Sequence, residues 1–119
     1  MRYLVLSDIH ANIEALEAVL ASTAQYDKVL LLGDYVGYGA DPNAVIDRVR
    51  QLPVAGIIRG NHDKVAVGIG NVVEFNLVAR EAITWTARVL TAENHAWLAA
   101  LALFINIPLA MLPLLLFAS

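Results

Sequence analysis

Cysteine is absent from the 119 residues. This excludes disulfides and thiolate metal sites, so any metal must be held by carboxylate, imidazole or amide groups. Basic charge is scarce: eight Lys and Arg stand against eleven Asp and Glu, for a net charge of −3. Without a basic cluster the chain lacks the face that binds duplex phosphates, and nucleic acid is not an expected partner. Charged residues of all kinds make up 16% and apolar residues 59%, a balance that excludes disorder and leaves an apolar excess for an ordinary domain. No glycine-rich loop runs into Lys-Ser or Lys-Thr, and Gly37-Tyr38-Gly39 lacks the third glycine of the dinucleotide fingerprint. The apolar run before Asp8 is too short for a signal peptide, so export by that route is not expected and the cytoplasm is the expected location.

A chain of this length is expected to form one domain. Arg2 to Leu6, Lys28 to Leu32 and Val54 to Ile58 are short runs of branched apolar residues, the pattern of parallel strands buried on both faces. Asn12 opens a helical stretch with Ile13, Leu16, Val19 and Leu20 on one side, and Asp41-Pro42 supplies an N-cap and first-turn proline ahead of Val45, Ile46, Val49 and Leu52. The order is βαβαβ, an α/β fold whose strand carboxyl ends lie along one edge, where such sheets collect ligands. Two further helices are expected, from about Asn76 to Leu90 and from Ala92 to about Ala100.

Each strand is followed by a polar cluster: Ser7-Asp8-Ile9-His10, then Gly33-Asp34-Tyr35, then Gly60-Asn61-His62-Asp63. Asp8 and His10 are two apart, so an extended segment projects both to one side. Gly33 and Gly60 let the backbone turn where a Cβ would crowd a metal. Mixed oxygen and nitrogen ligands suit Mn²⁺, Fe²⁺ or Zn²⁺, and closely spaced carboxylates suit two ions sharing one of them, with Asp34 the natural bridge. In that scheme two cations activate a water for in-line attack on phosphorus, His62 protonates the leaving oxygen and Asp63 holds the His62 ring.

Taken singly, each residue has a plainer reading. Asp8 can cap or turn, His10 can be a structural histidine, Asn61 a turn residue, and Gly33-Asp34 a common strand-end pair. Their coincidence at three successive strand ends favours chemistry. His95 has no partner motif and reads as a surface or cap residue.

The three motifs, in this order and spacing, resemble the calcineurin-like metallophosphoesterase superfamily over roughly residues 1 to 100. The resemblance implies one half of a β-sandwich flanked by helices, and two divalent ions, Mn²⁺ first, with Fe²⁺, Zn²⁺ or Mg²⁺ as alternatives. By the same resemblance, Asp8 and His10 bind one ion, Asp34 bridges and Asn61 binds the second; His62 contacts substrate and assists the leaving group, oriented by Asp63. A small phosphate mono- or diester is the implied substrate. The arginine that protein Ser/Thr phosphatases place after the bridging aspartate is replaced by Gly37-Tyr38-Gly39, which points to the small bacterial-type phosphoesterases and puts Tyr38 near the substrate or in a packing role. The family's late histidines have no counterpart, since no histidine follows His95.

From Ala96 to Ser119 no residue is charged. Residues 101–119 are therefore separated from the 1–100 domain as an apolar tail with three readings: a frameshift product, a membrane tail anchor broken by Pro108 and Pro113, or a segment buried in the core or a homo-oligomer. The missing histidines and this tail motivate the rival expectation, a catalytically incomplete metal-binding or membrane-associated fragment.

Overall fold

The computed structural model describes residues 1–23 and 25–101, together with the backbone of Phe104 and Ile105. Strand β1 (Tyr3–Leu6) is followed by helix α1 (Ile13–Ser22), β2 (Lys28–Leu31), α2 (Pro42–Val49), β3 (Val54–Ile57), α3 (Asn61–Ala66), a 3-10 turn (Val72–Glu74), α4 (Leu77–Val89), α5 (Ala92–Ala100) and β4 (Phe104–Ile105). The sheet order is β1-β2-β3-β4. The expected βαβαβ core is present, with Leu4 facing Val29 and Leu6 facing Leu31 in a parallel ladder. The β2-β3 pairing is also parallel but slips between Val29 and Leu30, so that Val29 pairs with Val54 and Leu30 with Gly56.

Alternation along the strands turns Val29, Leu31 and Ile57 into one core with Leu16 and Leu20 of α1, Val45, Ile46 and Val49 of α2, Ile83 of α4 and Leu98 of α5. The apolar positions at helical spacing thus face the sheet, where burying each large side chain contributes roughly 1.5–3 kcal/mol. Asn12 caps α1 as expected, its side chain accepting from the Ala15 amide at 3.0 Å. Asp41 occupies the N-cap of α2 ahead of Pro42, but its side chain makes no cap hydrogen bond. Asn76 and Thr91 cap α4 and α5.

Helix α5 is fixed by polar groups at both ends. Asn94 is 2% exposed, and its Nδ2 donates to Asn43 Oδ1 at 3.0 Å and to Asp47 Oδ1 at 3.1 Å on α2. At the carboxyl end the Arg59 guanidinium donates to the Ala99 carbonyl at 2.7 Å, satisfying a carbonyl that the helix leaves open.

Of the tail, the described part is β4, which pairs antiparallel with β3 through Ile57↔Phe104 and Gly56↔Ile105. Residues 106–119, on which the frameshift, anchor and burial readings mainly rest, lie outside the described residues. No helix among the described residues is long and apolar enough to cross a membrane. Helix α3 was not expected: Gly60-Asn61-His62-Asp63 read as a strand-end turn, and six residues are too few to show apolar periodicity.

Candidate metal centre

The loops after β1 and β2 continue the ladder beyond the strands. The Asp8 amide donates to the Gly33 carbonyl at 3.1 Å, that of His10 to Asp34 at 2.9 Å and that of Ala11 to Tyr35 at 2.7 Å. The first two polar motifs are thereby held side by side. The third is brought in through Gly33, whose φ is +100° and whose place a Cβ could not share: it would lie 2.6 Å from the Gly60 nitrogen. Asp8, His10, Ala11, Asp34 and Tyr38 are non-glycine residues with φ between +49° and +62°, a left-handed conformation that side chains adopt at a cost and that clusters at functional sites.

Four of the expected residues converge. His10 Nε2 lies 3.4 Å from Asp8 Oδ1 and 4.0 Å from Asp34 Oδ2, and donor atoms of His10, Asp34 and His62 fall within 4.8 Å of one another. His10 Nδ1 sits 3.1 Å from the Val36 carbonyl, which can only accept. This places a proton on Nδ1 and turns Nε2 toward the carboxylates, where its lone pair would be available to a bound cation. Asp34 divides its oxygens: Oδ1 accepts from the His62 amide at 3.1 Å and Oδ2 faces His10. Burial raises the Asp34 carboxyl above its ordinary range, a cost that a bound cation would offset, whereas the Ser7 hydroxyl, donating to Asp8 at 2.6 Å, lowers Asp8. Burial depresses His62, favouring its neutral, lone-pair-bearing form.

Asp63 is fully buried. Its two oxygens accept from the amides of Asp34, Tyr35, Val36 and Gly60 at 2.7, 2.9, 3.2 and 2.8 Å. Burial raises its carboxyl to about 6 while these amides pull the other way. The expected contact with the His62 ring is not where these oxygens point; His62 Nδ1 is buried without a hydrogen-bond partner among the described residues. Asp63 instead stitches the loop after β2 to the start of α3. Tyr38 is half exposed, with its ring 5.1 Å from that of His10 and 5.0 Å from that of His62. Together with Asp8 and His10 it lines an open depression of about 560 Å³. Asn61 is exposed at the start of α3 and borders a separate hollow with Lys64, Asn71 and Phe75. His95 is exposed on α5, away from these motifs in the sequence.

Two imidazoles and two carboxylates, one imidazole with its tautomer fixed from behind, form a donor set that fits a divalent cation of the Mn²⁺, Fe²⁺ or Zn²⁺ type. The comparison that decides the lineage is with the calcineurin-like phosphoesterase family, whose profile matches residues 1–111. The chain belongs to that family. As a calcineurin-like phosphoesterase it is 42% identical over 104 residues to an uncharacterized protein of Methanocaldococcus jannaschii, covering 86% of this chain and 42% of the other. It is similar to the crystal structure of a metallophosphoesterase from Sphaerobacter thermophilus, at 43% identity and TM-score 0.71, over 86% of this chain and 42% of that one. A hypothetical protein from Pyrococcus horikoshii shares the fold at 21% identity and TM-score 0.64, over 84% and 47% of the two chains. The chain thus spans less than half the length of the relatives it matches.

Sequence reading missed three contributors to the calcineurin-like site. Ser7 was seen only as part of a motif, and its hydroxyl bond is invisible without the turn. Phe75 packs its ring 4.6 Å from that of His62, yet lies outside every motif. Arg80, whose guanidinium donates to the carbonyls of Val72, Val73 and Phe75, has the look of any solvent-facing charge on an amphipathic helix.

Proposed function

We propose that the chain forms the first half of a two-cation phosphoester hydrolase acting on small phosphate mono- or diesters in the cytoplasm. The observation that carries the reading is the convergence of Asp8, His10 and Asp34, on strained loops, with His62 of α3 at one sheet edge, within a family of phosphoesterases. Asp8 and His10 would hold one ion, Asp34 would bridge, and Asn61 would reach the second. Mn²⁺ is the first choice, and Fe²⁺, Zn²⁺ and Mg²⁺ are compatible with the donors. When bound, such cations polarise a phosphoryl oxygen and acidify water. The residues do the rest: Asp34 keeps its second oxygen free by giving the first to the His62 amide, and His62, neutral through burial with its lone pair turned to the centre it shares with His10 and Asp34, would take up the proton released by the acidified water and deliver it to the leaving oxygen. Tyr38, at the mouth of the depression, contacts the ester. Asp63 serves this chemistry by fixing the loop that carries Asp34.

Hydrolysis of a chromogenic phosphate monoester and diester, with and without Mn²⁺, tests the reading against an Asp34→Asn control. Mn²⁺-dependent turnover that disappears in Asp34→Asn is expected; turnover unchanged by the substitution removes Asp34 from the mechanism. A second reading is favoured by Asn61, which borders a hollow separate from the depression lined by Asp8 and His10: a catalytically incomplete metal-binding chain, with membrane association through residues 101–119 as one form of it, that holds an ion without activating water. A folded chain that binds Mn²⁺ and shows no turnover supports it.

A further inference from the structure

Among the described residues no hydrogen bond to Nδ1 sets the orientation of His62, and the Asp63 carboxylate next to it in sequence is committed to backbone amides. Packing against its neighbours aims the ring. On one flank Gly37, at φ +93°, comes so near that a Cβ there would lie 2.6 Å from His62 Nδ1. His10 and Tyr38 contribute ring contacts, but both belong to the site itself and Tyr38 is half exposed. A further ring against His62 is that of Phe75, with centroids 4.6 Å apart and planes inclined by 36°, within the range of an offset aromatic contact.

Phe75 ends an exposed turn, and something must keep it in place. The Arg80 guanidinium does so: Nε donates to the carbonyls of Val72 at 3.2 Å and Phe75 at 3.1 Å, and Nη2 to that of Val73 at 3.1 Å. Three carbonyls of one short turn are thus gathered by a single rigid fork, a geometry that lysine cannot reproduce. Arg80 is itself anchored in the first turn of α4, where its amide donates to Asn76 at 2.9 Å.

We propose that Arg80 and Phe75 form a strap that aims the His62 imidazole into the centre it shares with His10 and Asp34, Arg80 being a positioning residue that acts through Phe75. The inference rests on the reading of His62 as a site residue, and it extends the working site to a segment outside the three strand-end motifs.

The test uses the whole chain with ¹³C,¹⁵N-labelled histidine. Its first readout, in metal-free protein, is the set of nuclear Overhauser contacts between the His62 ring and the Gly37 α-protons; its second is the Kd for Mn²⁺. Phe75→Ala is expected to abolish the contacts and to raise the Kd about tenfold, the usual scale for loss of a residue supporting a metal ligand. Phe75→Tyr, which keeps the ring, should restore both, and Arg80→Ala should shift both in the same direction as Phe75→Ala. The double variant Phe75→Ala/Arg80→Ala should be no worse than Phe75→Ala, because the two act in series. Intact contacts and wild-type Kd in folded Phe75→Ala overturn the strap, as do fully additive effects in the double variant. If Phe75→Ala fails to fold, Phe75→Leu replaces it with the same expected direction. A wild-type chain that keeps the contacts but binds no Mn²⁺ counts against the hydrolase and leaves the strap standing, so the two failures are told apart.

Discussion

The two edges of the sheet are built from the same three strands and differ in almost every other respect. At the amino edge the chain is relaxed: Arg2 and Asp27 clasp each other through an amide-to-carboxylate bond of 2.7 Å and an amide-to-carbonyl bond of 2.8 Å, in exposed surroundings. At the carboxyl edge five side-chain-bearing residues have positive φ, a buried carboxylate holds four amides, and a buried imidazole nitrogen has no partner among the described residues. Strain and buried polarity are concentrated where the donors for a cation converge. The comparison teaches that the carboxyl edge is stabilised by buried polar contacts and the amino edge by solvent-exposed ones, so substitutions of similar size should have unequal effects.

The sharpest contrast is expected at Asp63. Asp63→Ala leaves four amide donors without their acceptor, and at about 1–3 kcal/mol for each buried unsatisfied donor the loss should reach at least about 4 kcal/mol. Urea unfolding would measure it; a loss below about 1 kcal/mol would mean that the stitch is dispensable. Next come two chemically identical changes. Gly33→Ala meets both a positive φ and the Gly60 backbone, whereas Gly68→Ala, at φ +81° with nothing within 4 Å, meets only the first. The second should cost about 1–2 kcal/mol and the first several times as much. Equal thermal shifts would show that the β2 and β3 loops do not need their close approach. The smallest effect belongs to the amino edge, where Asp27→Ala should change stability by no more than about 1 kcal/mol; a larger loss would erase the distinction between the edges.

Much of this asymmetry was legible from the residues. Branched apolar runs located β1, β2 and β3 to within a residue or two, because strands buried on both faces carry a continuous apolar signal. Asn12 marked its helix through cap chemistry that acts within a few residues. The grouping of Asp8, His10 and Asp34 followed from parallel strands delivering their ends to one edge. What the sequence could not express was the partner of each polar atom. Asp63 beside His62 suggests a pair, but the fold turns its oxygens to amides 27 to 29 residues earlier in the chain, as well as to Gly60. Arg80 and Phe75 are likewise joined to the site only through tertiary contacts. Strand β4 was hidden because two residues within a long apolar stretch carry no periodicity of their own.

Asn94 has a consequence of another kind. Apolar side chains of similar size pack nearly as well after a one-turn slide, so the contact between α2 and α5 alone would tolerate several alignments. A buried amide that finds both Asn43 and Asp47 in one alignment penalises every other, much as a single polar residue sets the phase of a coiled coil. Helix α5 therefore works as an indexing pin: it fixes the phase at which the chain arrives at Leu101.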